Sequence, residues 1–153
     1  MVDIIRAGYD QLIRAPTKTI TFTGASGLGL AGTVVPVWTL SGRVLVHHLM
    51  CFCTTTVVST LNGGNISLGT AANVTAFISE TLMGSGTLAA NDWWPGAGGT
   101  PVGATSDILA TAATSPNTVS GSIIINPTTQ DITSGVLVFD CFYRPLTSGA
   151  SLT

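Results

Sequence analysis

His47, His48, Cys51 and Cys53 form the densest group of chemistry-bearing side chains in this sequence. On a strand, alternate positions share a face, so His47, Cys51 and Cys53 are expected to look the same way. Cys141 joins them if its segment pairs alongside. A zinc site usually gathers its thiolates from a C-x₂-C turn, which folds two sulfurs round one ion. Alternate positions on a straight strand stand ~6–7 Å apart, wide for one tetrahedral ion. The expectation is therefore no metal: small apolar thiols in a core, and two histidines near a sheet end or a subunit contact. Cys51 and Cys53 are too close to bridge comfortably, and the count of three is odd. Both points suit reduced, buried thiols.

Other spacings with chemical meaning fail on context. Gly27, Gly29 and Gly32 match G-x-G-x-x-G. A dinucleotide site needs that loop to open a helix whose N-terminus meets the pyrophosphate. Here Thr33, Val34, Val35, Pro36 and Val37 follow, and the next acidic residue is Glu80. A glycine-rich turn without a cofactor is the reading. A hydrolase needs a nucleophile, a base and an orienting acid. Serines abound, but there are only two histidines and no G-x-S-x-G elbow. Glu80, Asp92, Asp107, Asp131 and Asp140 are too scattered in sequence to suggest a glycosidase pair. Asp140, between Phe139 and Cys141, is expected to be buried and paired with an arginine such as Arg43 or Arg144. No catalytic residue is assigned.

Trp93 and Trp94, followed by Pro95, have three readings. Large aromatics anchor protein interfaces. They also stack on sugars, or fold back to plug the end of a sandwich. Asn65 and Asn73 head glycosylation sequons, read as chance because residues 1–10 carry charges rather than a secretion signal. The chain is accordingly expected to be made in the cytoplasm.

The elements that must hold these residues are strands. The chain has 153 residues, enough for one domain with a core that needs neither disulfide nor metal. Mean hydropathy is +0.52, too apolar for disorder, and no apolar run approaches a membrane span. Only 8% of residues are charged, against about a quarter in an ordinary domain. A subunit covered by partners needs less surface charge than a free enzyme. The net charge of −2 disfavours nucleic acid and anionic membranes, which call for a basic face.

Residues 1–17 stand apart and hold Asp3, Arg6, Asp10 and Arg14. Ile5, Tyr9, Leu12 and Ile13 fall on one helical face, and Pro16 ends the pattern. A short helix or an arm is expected, packed on its own domain or on a neighbour. Residues 18–146 read as an antiparallel β-sandwich of about eight strands. Lys18 to Thr23 alternates, with Ile20 and Phe22 on one face and threonines on the other. Residues 24–32 are a turn. Val34 to Leu40 contains Pro36, the mark of an edge strand or a bulge. Arg43 to Cys53 is a long strand with Val44, Val46, Met50 and Phe52 on one face and Leu45, Leu49, Cys51 and Cys53 on the other. Thr55 to Thr60 continues it or starts another. Asn62 to Asn65 reads as a hairpin turn. Residues 66–68 and 74–79 are short strands, and Ile108 and Leu109 seed another within the Gly- and Pro-rich residues 84–117. Val119 to Asn126 and Gly135 to Arg144 are strong strands, and residues 147–153 a polar tail. Strand number and the long loop point to a jelly roll.

Val37 to Val46 (Val37-Trp-Thr-Leu-Ser-Gly-Arg-Val-Leu-Val46), followed by Cys53-Thr-Thr-Thr56, resembles small virion proteins of tailed bacteriophages. So does the closing stretch from Ser134 to Ser148, with its final strand and aromatic-x-Arg-Pro-Leu ending. The resemblance is one of pattern and composition over about residues 20–80 and 118–148. It implies a capsid decoration or cement protein: a jelly-roll subunit, commonly a homotrimer, bound to the major capsid protein on the outside of a head. It brings no catalytic residues and no cofactor, and His47, His48 and the cysteines lie outside its pattern. The candidate interface residues are Ile5, Tyr9, Leu12, Ile13, Trp93 and Trp94, with trimer contacts expected on an apolar outer sheet face. The alternatives are a tail or fibre module gripping host glycan through Trp93 and Trp94, or a bacterial carbohydrate-binding module.

Overall fold

The protein, seen in a computed structural model, is described here for residues 12–84, 87–94, 102–103 and 117–153. In chain order the strands are β1 (Ile13–Arg14), β2 (Lys18–Thr21), β3 (Val35–Trp38), β4 (Leu40–Ser41), β5 (Val44–Ser59), β6 (Gly64–Thr70) and β7 (Asn73–Met83). They continue with β8 (Asp92–Trp93), β9 (Val102–Gly103), β10 (Asn117–Val119), β11 (Ile123–Thr128), β12 (Ile132–Pro145) and β13 (Ser151–Leu152).

The chain folds back on itself in nested strand pairs, with β4 and β13 set apart in a two-stranded sheet of their own. Innermost, β6 pairs β7; outside that, β5 pairs β8 and β10; then β3 pairs β11; outermost, β2 pairs β12. Successive pairs alternate between two sheets. The β12·β5 ladder joins the pairs of the first sheet and the β11·β6 ladder those of the second, whose order is β3-β11-β6-β7. All these ladders are antiparallel. This nested, sheet-alternating wrap is a jelly roll, the expected all-β sandwich.

Local sequence accounts for the strands. In β12 burial alternates from Gly135 to Arg144, with Leu137, Phe139, Cys141 and Tyr143 inward. Thr19 and Thr21 are exposed in β2, while Phe22 just after it is buried. Pro36 sits on the edge strand β3, where a residue without a donor is tolerated, and the β11 register shifts beside it. Between the sheets lie Trp38, Phe77, Phe139, Leu68, Ile66 and Ile125. The Trp38 and Phe139 rings meet edge to face at 6.2 Å, and Trp38 Nε1 donates to the Pro16 carbonyl at 2.8 Å.

Several expectations change. The long strand extends to Ser59, so most of Thr55 to Thr60 continues it, while Thr60 opens the next turn. Its faces also differ from strict alternation. Val46 and Leu49 both point inward, because Phe142 pairs His48 while Tyr143 pairs Val46, leaving His47 as an extra bulged residue. From that point Leu49, Cys51 and Cys53 face the core, and Met50 and Phe52 the outer side. Asn62 to Asn65 is not a hairpin turn: a 3₁₀ turn at Thr60–Asn62 carries the chain from one sheet to the other. Val119 to Asn126 is not one strand: it breaks at residues 120–122, and β10 and β11 lie in different sheets. The closing tail is docked. β13 pairs β4, Thr39 and Thr153 exchange backbone hydrogen bonds, and Leu152 is buried. The helical pattern through Ile13 does not persist to its end, since Ile13 and Arg14 pair with Tyr143 and Phe142 as strand. Ile5 and Tyr9, and the seed at Ile108 and Leu109, lie outside the described residues.

Candidate functional surfaces

The bulge at His47 decides where the histidines and cysteines go. Two residues between inward Val46 and Leu49 leave His48 exposed on the outer face, and His47 partly covered beside it. His47 Nε2 is sealed from solvent without a hydrogen-bond partner. Opposite the cysteines stand apolar residues: Phe139 faces Cys51, Leu137 faces Cys53 and Leu49 faces Cys141. The three thiols are free and buried. Burial pushes all three up, Cys53 to about 11 and Cys141 to about 12. Such thiols are poor nucleophiles and poor ligands at neutral pH. Among the described residues no three His, Cys, Asp or Glu side chains gather round a point where an ion could sit.

Asp140 is not buried with Arg43 or Arg144. It is half-exposed on the outer face and pairs with Arg14, whose Nη2 and Nε donate to Oδ1 at 2.6 and 3.1 Å. Thr17 Oγ1 donates to the same oxygen at 2.7 Å. This cluster pins the incoming chain to the middle of β12.

Trp94 is a core residue. Its ring is 2% exposed and its Nε1 donates to Thr81 Oγ1 at 3.0 Å. Of the three readings of the tryptophan pair, the plug describes Trp94. Trp93, directly across the ladder from Phe52, lies on that ring with centroids 4.9 Å apart, which leaves it half-buried. The pair therefore does not present two free rings side by side, although Trp93 remains partly exposed.

Among the described residues, two apolar surfaces stand out. On the outer face of the first sheet, Leu12, His48, Met50 and Phe142 line an open groove of about 380 Å³. Leu12 and Ile13, two of the expected interface residues, are both exposed there or beside it. The second surface was not foreseen. The loop 24–34, the turn 60–63 and the turn 129–131 all lie at one end of the sandwich. Thr60 N donates to the Asp131 carbonyl at 2.9 Å, Ala31 N to Asp131 Oδ1 at 2.8 Å, and Ile132 N to the Gly29 carbonyl at 2.8 Å. Asp131 thus laces the three connections together. From this end project Leu28, Leu30 and Leu61, with Val34, Val58 and Leu82 at its rim, all exposed.

Comparisons of the chain with protein-family models, with curated proteins and with solved structures gave no match.

Leu61 is the most exposed large apolar residue described, at 87%. Its backbone is also left-handed, at φ 50 and ψ 21, followed by Asn62 at φ 56. A leucine in that region costs about 1–2 kcal/mol through the approach of Cβ to the following carbonyl. Asparagine or glycine would hold the turn more cheaply. No single-residue signal marks this surface: residues 28, 61 and 131 come together only through the nested wrap. The described cations lie away from it. Lys18 sits opposite Phe139 at mid-strand, and Arg14 and Arg144 sit nearer the other end of β12, with Arg43 just before β5.

Proposed function

We propose that this chain is a non-enzymatic structural subunit that works by packing against other protein subunits. Most specifically, we read it as a decoration or cement protein on the outside of a tailed-phage head. In this reading it is made in the host cytoplasm, self-associates as a homotrimer and binds the major capsid protein. The observation that carries the reading is the concentration of exposed aliphatic residues at one end of a charge-poor sandwich. An apolar surface of that kind favours protein contact over solvent. The jelly-roll wrap agrees with the reading without deciding it, since one fold serves many functions. The resemblance of Val37 to Val46 and of Ser134 to Ser148 to phage virion proteins supports the same assignment. The glycan-binding alternative loses its main support with Trp94 in the core.

A cement protein stiffens a shell by area, not by any single bond. Each contact that buries ~1,000 Å² or more adds cohesion between neighbouring capsid subunits. The test is heat-induced DNA release from heads that lack the protein, with and without added purified chain. Release at a higher temperature in its presence is the expected result. Identical release curves at saturating chain contradict the cement role.

A further inference from the structure

We propose that the end of the sandwich bearing Leu28, Leu30 and Leu61 is the self-association surface. It packs against the same end of further copies of this chain, so that these ends converge on the oligomer axis. The inference rests on the reading of the protein as a packing subunit, and places its self-contact away from the outer sheet face.

Four observations select this occupant. First, of the large apolar residues exposed in the described structure, Leu28, Leu30, Val34, Val58, Leu61 and Leu82 lie at this end. Their exposed fractions amount to roughly 500 Å² of residue surface, the size of the largest apolar patch on an ordinary monomer, which is often functional. That is more than half of the ~800 Å² each partner brings to a stable interface.

Second, the connections at this end are hydrogen-bonded to one another within the subunit. Asp131 ties the turn 60–63 to the loop 24–34 through its carbonyl and its carboxylate. A surface already ordered loses little freedom on association.

Third, Leu61 carries both a backbone cost and an exposure cost in the isolated chain. A backbone outlier with no role inside its own subunit points to one outside it. Buried against a second copy, the leucine returns the hydrophobic gain that the free chain lacks.

Fourth, the charge pattern disfavours an anionic partner. The described acids near this end are Asp131, whose Oδ1 accepts from Ala31 N, and Glu80, which accepts from Thr128 Oγ1. No described lysine or arginine lies there to meet an anionic partner such as nucleic acid or a lipid headgroup. Apolar loops meeting their own copies leave no cation buried, and the same patch on every copy closes the assembly by symmetry.

The experiment is sedimentation velocity on the full chain over a range of concentrations, beside Leu61→Asn, Leu28→Ser and Leu146→Asn. Asparagine tolerates the left-handed backbone, so Leu61→Asn relieves strain while it removes the apolar contact. The wild type is expected to sediment as a discrete oligomer. Leu61→Asn and Leu28→Ser are each expected to weaken it at least about tenfold, as for a residue at the centre of an interface. Diluted to where both are monomeric, Leu61→Asn should melt no lower than wild type, which separates lost association from lost folding. Leu146, exposed at the opposite end, serves as the control, and its variant should keep the wild-type mass. A wild type that stays monomeric at every concentration overturns the proposal and leaves this end to a partner of different sequence. So does an unchanged mass in both loop variants, or equal dissociation by Leu146→Asn. An intact oligomer that fails to protect heads would instead count against the cement role alone.

Discussion

Ser59 stands where the chain leaves the first sheet for the second, and its replacement by alanine tests whether that crossing is held by one hydroxyl. Ser59 is 3% exposed. Its Oγ donates to the Met83 carbonyl at 2.6 Å and accepts from Gly64 N at 3.0 Å. One side chain of β5 thus satisfies two backbone groups of the other sheet, on β6 and β7. Ser59→Ala strips a partner from both. The space is too tight for water to enter freely: a Cβ on Gly64 would lie 2.6 Å from Ser59 Cβ and 2.9 Å from the Gln130 carbonyl oxygen. Each buried backbone group left unsatisfied costs about 1–3 kcal/mol, so the pair should cost about 2–4 kcal/mol. For a chain of this length that lowers the melting temperature by about 5–15 °C. The assay is thermal unfolding by calorimetry, with urea unfolding to confirm an unchanged m-value. Thr19→Ala, at an exposed position of β2, should change stability by less than about 0.5 kcal/mol. If Ser59→Ala melts within about 2 °C of wild type, the crossing does not depend on this hydroxyl.

Three further expectations follow from the packing. Gly135 is buried at φ 126, and a Cβ there would meet Val57 Cα at 2.7 Å, so Gly135→Ala should destabilise by about 2 kcal/mol or more, read by urea unfolding. Partial burial raises the Asp140 pKa, but hydrogen bonds from Thr17 and Arg14 and the charge of Arg14 more than offset this, and it lies below the ordinary carboxylate value. A depressed carboxyl stabilises the fold above its unfolded pKa of ~3.9 and loses that contribution as pH falls through the folded value. Arg14 is 57% exposed and screened, so Asp140→Asn should cost under about 1 kcal/mol at neutral pH. That difference should shrink below about pH 4, and a difference that persists in acid would assign it to packing instead. Finally, Cys51, Cys53 and Cys141 should resist an aromatic disulfide reagent at pH 8 in the folded protein and all react once it is unfolded; rapid reaction of any one in the native state contradicts its burial.

Much of the architecture is legible along the chain. The alternation of Ile20 and Phe22 with Thr19 and Thr21, the period-two run of β12 and the edge position of Pro36 are all local signals. What is not legible depends on partners far away in sequence. The bulge at His47 exists because two residues of β5 oppose one of β12, and it inverts the facing of everything after it. Arg14 finds Asp140 across 126 positions, which composition cannot show. The closing segment looks like a tail because its residues are small and polar, yet the buried Leu152 and the ladder to β4 hold it. Trp94 illustrates the ambiguity of aromatics in a Gly-rich stretch: the same residue type serves as plug or as contact, and only the position of Thr81 and the core decides. The surface around Leu61 was hidden for a related reason. Its leucines are spread over the loop 24–34, the turn 60–63 and the end of β7, and scattered surface leucines are ordinary until the fold brings them to one end.

The central claim, a subunit that acts by packing on a phage head, is tested most directly by titrating purified chain onto heads assembled without it and measuring the bound fraction by co-sedimentation. Saturable binding at a fixed number of copies per head is the result predicted. Heads that sediment without the chain at every concentration would contradict it.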